Sequence, residues 1–138
     1  MFEKILVAVD ESSHAKSVLD AATKLAKALG SEVRVVHVLE TGFVGRAGAL
    51  NLESSDEAHK TVDDAVAQLG ASGLKVSGVV RAGMHGRLAA EINEEGIEFG
   101  AGLMIIGTRG LSEFEGVFVG STSHRLMHVS SVPVLVVP

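Results

Sequence analysis

The chain has 138 residues, 46% apolar and 21% charged, and its twelve basic and seventeen acidic side chains leave a formal charge of −5. That composition suits one folded globular domain, residues 1–138, without the basic excess of a general nucleic-acid binder. It contains no cysteine, which excludes disulfides, thiolate metal sites and cysteine nucleophiles, and fits a cytoplasmic protein. Five Phe with no Trp or Tyr disfavour ring-stacking sites for flavin or single-stranded nucleic acid.

The opening MFEKILVAVDESS holds an apolar run of five residues, 5–9, closed by Asp10. This is too short for a signal-peptide core or a membrane span, and reads as a strand buried on both faces. Ala15, Val18, Leu19, Ala22, Leu25, Ala26 and Leu29 follow at helical spacing. Ser12 or Ser13 can cap the start of that helix and Gly30 its end. Residues 33–39 form a Val-rich second strand. Residues 40–53 carry three glycines and no period, so they read as a mobile loop. Ser54 and Glu57 make a capping box for a second helix with Ala58, Val62, Ala65 and Leu69 on its apolar face, stopped by Gly70 and Gly73. Residues 76–81 are a weaker third strand, placed at an edge by Ser77, Gly78 and Arg81. A third helix over 85–99 uses Leu88, Ile92 and Phe99. Residues 103–106 are a buried fourth strand. A last helix starts near Gly120, and residues 132–137, bounded by Val132 and Val137, form the fifth strand.

Alternating strands and helices give an α/β fold: a three-layer α/β/α sandwich on a five-stranded parallel sheet. With the first and fourth strands central, the order is 3-2-1-4-5. Ligands of such sheets bind where the strand order reverses, outside the carboxyl ends of the strands. That crevice lies between Asp10 and the segment after the fourth strand.

That segment is GTRGLSEFEGVFVGSTS, residues 107–123. Gly107, Gly110 and Gly120 let the backbone approach a ligand, and successive free N–H groups make an anion nest. Ser121 and Thr122 sit where a helix N-terminus favours phosphate, and Arg109 can neutralise charge. Glycine loops also serve only as tight turns. Neither a Walker-type lysine motif nor G-x-G-x-x-G after the first strand is present. Ser121 lacks the G-x-S-x-G elbow of a nucleophile. His124 and His128 are spaced i, i+4 without a third ligand in view, which favours a solvated or dimer-facing pair over a metal site. His37 reads as a packed, hydrogen-bonded histidine. A receiver domain is disfavoured because the third strand ends Val80-Arg81-Ala82, without Asp.

Gly107-Thr108-Arg109-Gly110, nine residues, then Gly120-Ser121 matches G-x2-G-x9-G-[ST], and here the chain resembles the universal stress protein family in its ATP-binding form. KILVAVDESSHA, VVHV, RAGMHGRLAAEI and HRLMHVSSVPVLVVP resemble the family elsewhere along the whole chain. The resemblance implies an adenine nucleotide alpha hydrolase-like fold. It implies ATP, with AMP or ADP as alternatives, accompanied by Mg or Mn at the phosphates. Ala8 and Asp10 would line base and ribose, and Val38 would meet the adenine through its backbone. Ile106 and Gly107 would lie under the ribose, and Gly110, Gly120, Ser121 and Thr122 would hold phosphate. It also implies a cytoplasmic homodimer through the last strand, regulating a partner protein in a stress response, with no nucleic acid or membrane involved. No catalytic residue is assigned. A slow ATPase in the same pocket and a nucleotide-free dimeric interaction module are the alternatives. Glu113, Glu115, Gly102 and the GMHG turn with His85 depart from the family pattern.

Overall fold

The structure, a computed structural model, describes residues 1–10, 15–43, 49–51, 54–84, 86–108 and 121–138. In chain order the elements are β1 (Lys4–Ala8), α1 (Ala15–Leu29), β2 (Glu32–Phe43), β3 (Ala49–Asn51), α2 (Ser55–Gly70), β4 (Val76–Met84), α3 (Leu88–Phe99), β5 (Leu103–Gly107), α4 (Ser121–Val129) and β6 (Val134–Val137).

Side-chain parity explains why the opening run is apolar at every position. Ile5, Val7 and Val9 pack with Val18, Leu19, Ala22 and Ala26 of α1 and Val62, Ala65 and Leu69 of α2. Leu6 and Ala8 face the other way and pack with Ala89, Ile92 and Phe99 of α3 and Leu126 of α4. A strand covered on both faces has no solvent side on which to place polar residues. Val33 and Val35 against Val36 in β2, and Leu103 and Ile105 against Met104 and Ile106 in β5, divide in the same way.

β4 pairs with β2, β2 with β1, β1 with β5 and β5 with β6, all in parallel. This is the 3-2-1-4-5 order expected of the five main strands. β4 and β6 each have one strand partner among the described residues, so both are edges.

Three boundaries differ from expectation. Part of the segment read as a loop is strand: β2 continues to Phe43, and β3 pairs antiparallel with its end, Thr41 opposite Asn51. A nine-residue ladder with β4, from Val33–Val76 to Thr41–Met84, keeps β2 extended. Residues 44–48 and 52–53 lie outside the described residues. The third helix begins at Leu88 rather than 85, because β4 holds the chain extended through Met84 and Gly86 then turns it at φ +88°. The last strand begins at Val134: Ser130 Oγ accepts from Val132 N–H and donates to the Val132 carbonyl, which keeps that residue in a turn. The second helix matches expectation, with Ser54 Oγ accepting from Glu57 N–H at 3.1 Å and Ala58, Val62, Ala65 and Leu69 buried. Its expected N-cap counterparts for α1, Ser12 and Ser13, lie outside the described residues.

Gly78 shows why a glycine interrupts β4. A Cβ there would stand 2.4 Å from Val62 Cγ1 and 2.8 Å from Val66 Cγ2, so α2 can settle on the sheet only over a residue without a side chain. Gly102 has a similar role beside the N-terminus, where a Cβ would meet the Met1 carbonyl oxygen at 2.3 Å.

Candidate functional site

The β1 registers align the site. Ala8 pairs with Val36, and Val7 with Ile105. Carried on by regular strand spacing, Asp10 stands level with Val38 on one side and Thr108 on the other. The three strand ends lie side by side at the point where the strand order reverses, the place where sheets of this kind take their ligands.

β2 provides one wall. Its Val36 carbonyl accepts from Val9 N–H at 3.0 Å, so the backbone groups of Val36 point towards β1. By two-residue alternation those of Val38 point the same way, past the end of β1. Thr41 pairs with Met84 on one edge and Asn51 on the other, which puts β3 on the β1 side of β2. Between Val36 and Thr41 this edge of β2 carries no strand among the described residues. Its Val38 N–H and C=O face the gap.

α4 provides another. It starts at Ser121, and its opening N–H groups have no partners within the helix. Ser123, 2% exposed, donates from Oγ to the Gly107 carbonyl at 2.6 Å and ties the first turn of α4 to the end of β5. Thr108 N–H donates to the Val137 carbonyl at 2.8 Å and holds the chain beside β6 as it leaves β5. The positive end of the helix dipole is thereby anchored at the carboxyl end of the central strands.

The expected site residues sort as follows. Asp10, Val38, Gly107 and Thr122 are half-buried at the strand ends or in the first turn of α4. Ala8 and Ile106 are buried, with their side chains in the core under α3 and α4, so their backbones are what the crevice meets. Ser121 opens α4. Arg109, Gly110 and Gly120 lie outside the described residues, as do His14, His85, Glu113 and Glu115. His37 is 6% exposed, and its Nδ1 donates to the Val9 carbonyl at 2.7 Å, as a packed histidine would. That bond braces the end of β1 against β2.

Two groups of residues escaped the sequence. A cavity of about 490 Å³ opens between α1 and α2 at the end of β1, lined in part by Asp10, Lys16, Thr61, Asp64 and Gln68. It shares Asp10 with the expected set and otherwise lies on the opposite helical layer. Thr61, Asp64 and Gln68 recur at helical spacing beside the buried stripe of α2, which is the signal that marks them. Glu40 is the second: it lies in β2 two residues beyond Val38, in a stretch whose strand character depends on β4.

Away from the crevice, the outer sheet holds α3 by charge. Arg81 bonds Glu91 at 2.9 Å, Glu95 at 2.8 Å and Glu94 at 3.1 Å. Arg34 takes the other Glu95 oxygen at 3.1 Å and stacks 4.4 Å from the Phe99 ring centre. Burial works against the Arg81 charge, but the hydrogen bonds it donates to Glu91 and Glu95 outweigh it and raise its pKa above the ordinary value. Among the described residues no helix is long and apolar enough to cross a membrane.

The fold is a doubly wound α/β domain whose central strand ends meet at the switch point. The chain belongs to the universal stress protein family, whose model matches residues 1–138. It is 32% identical to a universal stress protein of Thermus aquaticus and 29% identical to universal stress protein YxiE of Bacillus subtilis, each alignment covering 99% of both chains. A universal stress protein structure from Archaeoglobus fulgidus superposes with a TM-score of 0.80 at 27% identity, covering 100% of both chains. A structure of the universal stress protein from the same organism in complex with dAMP gives 0.76 at 26%, again covering 100% of both.

Proposed function

We propose that this protein binds an adenine nucleotide, ATP by its glycine spacing, and acts as a stress-response regulator. The observation that carries the reading is the juxtaposition of the Val38 backbone edge, Asp10, Gly107 and the anchored N-terminus of α4 at one switch point. The Val38 N–H and C=O suit an adenine edge, Asp10 suits ribose hydroxyls, and the start of α4 suits phosphate. Arg109, Gly110, Gly120, Ser121 and Thr122 complete the phosphate side by sequence, with Mg or Mn as the hard cation that phosphate oxygens prefer. The dAMP complex of the Archaeoglobus fulgidus relative supports the adenine half.

In this reading the protein works in the cytoplasm as a homodimer joined along β6, and nucleotide changes a partner protein's activity through different affinity for two states. Asp10 binds rather than activates water.

The test is to purify the protein without added nucleotide, denature it, and identify any released small molecule by mass spectrometry. Calorimetric titration with ATP, ADP and AMP follows. ATP release, or ATP binding lost in Gly120→Asp, is the expected result. AMP binding alone would keep the adenine half and reject the triphosphate. No binding of any of the three would overturn the reading and leave an interaction module.

A further inference from the structure

The exposed face of α4 carries His124 and His128, one helical turn apart. Their rings meet edge to face at 73°, with centroids 4.6 Å apart. Their Nε2 atoms lie 3.2 Å apart in an imidazole–imidazole hydrogen bond, one ring nitrogen donating its proton to the other. Two metal–imidazole bonds of about 2.05 Å, opened to a tetrahedral angle, hold their nitrogens roughly 3.3 Å apart. The two rings therefore present the same atom at the separation a single metal ion spans.

We propose that His124 and His128 form a surface chelate for a borderline divalent transition metal of the zinc, nickel or copper class. Imidazole nitrogen suits these ions, whereas Mg and Mn favour oxygen. The site is thus chemically separate from any phosphate-bound cation. Its scaffold is stiff: Leu126, between the two histidines, is fully buried, and Ser123 is tied to β5. Arg125, the neighbouring cation on α4, donates to the Gly86 carbonyl at 2.8 Å. Among the described residues neither imidazole has a carboxylate partner, so metal displaces only the shared Nε2 proton between the two rings. His128 lies in the last turn, where the negative end of the helix dipole favours a cation. The two histidines fill two coordination positions, and water or a donor from another molecule fills the rest.

The test uses the nucleotide-free full chain with the metal alone. Zinc is titrated while the side-chain nitrogens of all six histidines are followed by NMR. The expected result is joint movement of His124 and His128, complete at one zinc per chain and undisturbed by excess Mg. Because the second ligand binds intramolecularly, His124→Ala and His128→Ala each weaken binding by at least about tenfold. His59→Ala on α2 leaves it unchanged. Both α4 positions are exposed, and circular dichroism confirms that the variants fold. The proposal is overturned by movement spread over the other histidines, by dependence on only one of the pair, or by no shift at millimolar zinc.

Discussion

Arg81 is 19% exposed and Glu95 only 4%, and the two meet at 2.8 Å on the face of the sheet covered by α3. Removing Arg81 leaves Glu95 with Arg34 as its remaining cation and takes away one charge-assisted hydrogen bond to it, at a cost of about 2 kcal/mol. Arg81→Met should therefore lower the urea midpoint with an unchanged slope, and Glu95→Gln, which unpairs that carboxylate from both arginines, should lower it as well. Glu32 offers a milder case at the surface. The hydrogen bond from Lys75, at 3.0 Å, holds its carboxyl below the ordinary glutamate value, against a smaller opposing effect of burial. A lowered carboxylate pKa stabilises the fold above the unfolded value and loses that contribution as pH falls through the folded one. NMR titration should show Glu32 protonating at lower pH than an ordinary glutamate, and Lys75→Ala should return it upward. The sequence shows the charges at these positions but not their pairing, since Arg34, Arg81 and Glu95 meet only when β2 and β4 are in register beneath α3.

α4 illustrates how one element couples packing to the site. Ser123 lies inside the helix's first turn and bonds the last residue of β5, so the helix start and the strand end move together. Ser123→Ala removes that bond and leaves the Gly107 carbonyl without it, which costs about 1–2 kcal/mol. On the proposed function it should also weaken nucleotide binding several-fold in calorimetry while the fold persists. Local pattern made most elements readable: the buried stripe of α2 and the cap at Ser54 needed only helical spacing and one hydroxyl. The far half of β2 was not readable in that way. Its Thr41 and Gly42 have no apolar alternation, and it is extended because β4 and β3 pair with it from opposite edges.

At the scale of the whole molecule, the two edges of the sheet differ. β4 is long and carries the charged cluster against α3, whereas β6 is four residues of Val and Leu with Leu135 37% exposed. An apolar edge without charge invites pairing, and a two-fold partner is the simplest closed solution. Leu135→Glu should convert the proposed dimer to monomer in sedimentation at unchanged helix content. A wild-type protein already monomeric at working concentration would remove β6 as the interface.

The sequence by itself determined the order of elements, the two-faced burial of the central strands and the place of the switch point. These follow from periodicities of two and of 3.6, and from connection rules that leave few topologies. It also carried the resemblance to the universal stress protein family to which the chain belongs. Tertiary structure decided what depends on distant segments meeting. It placed β3 beyond β1, demanded a glycine at 78 beneath α2, drew two arginines onto one glutamate, and opened the cavity beside Asp10 on the α1–α2 layer. The His124–His128 spacing was legible, but the approach of their Nε2 atoms was not, because ring orientation depends on rotamers that a linear sequence does not specify.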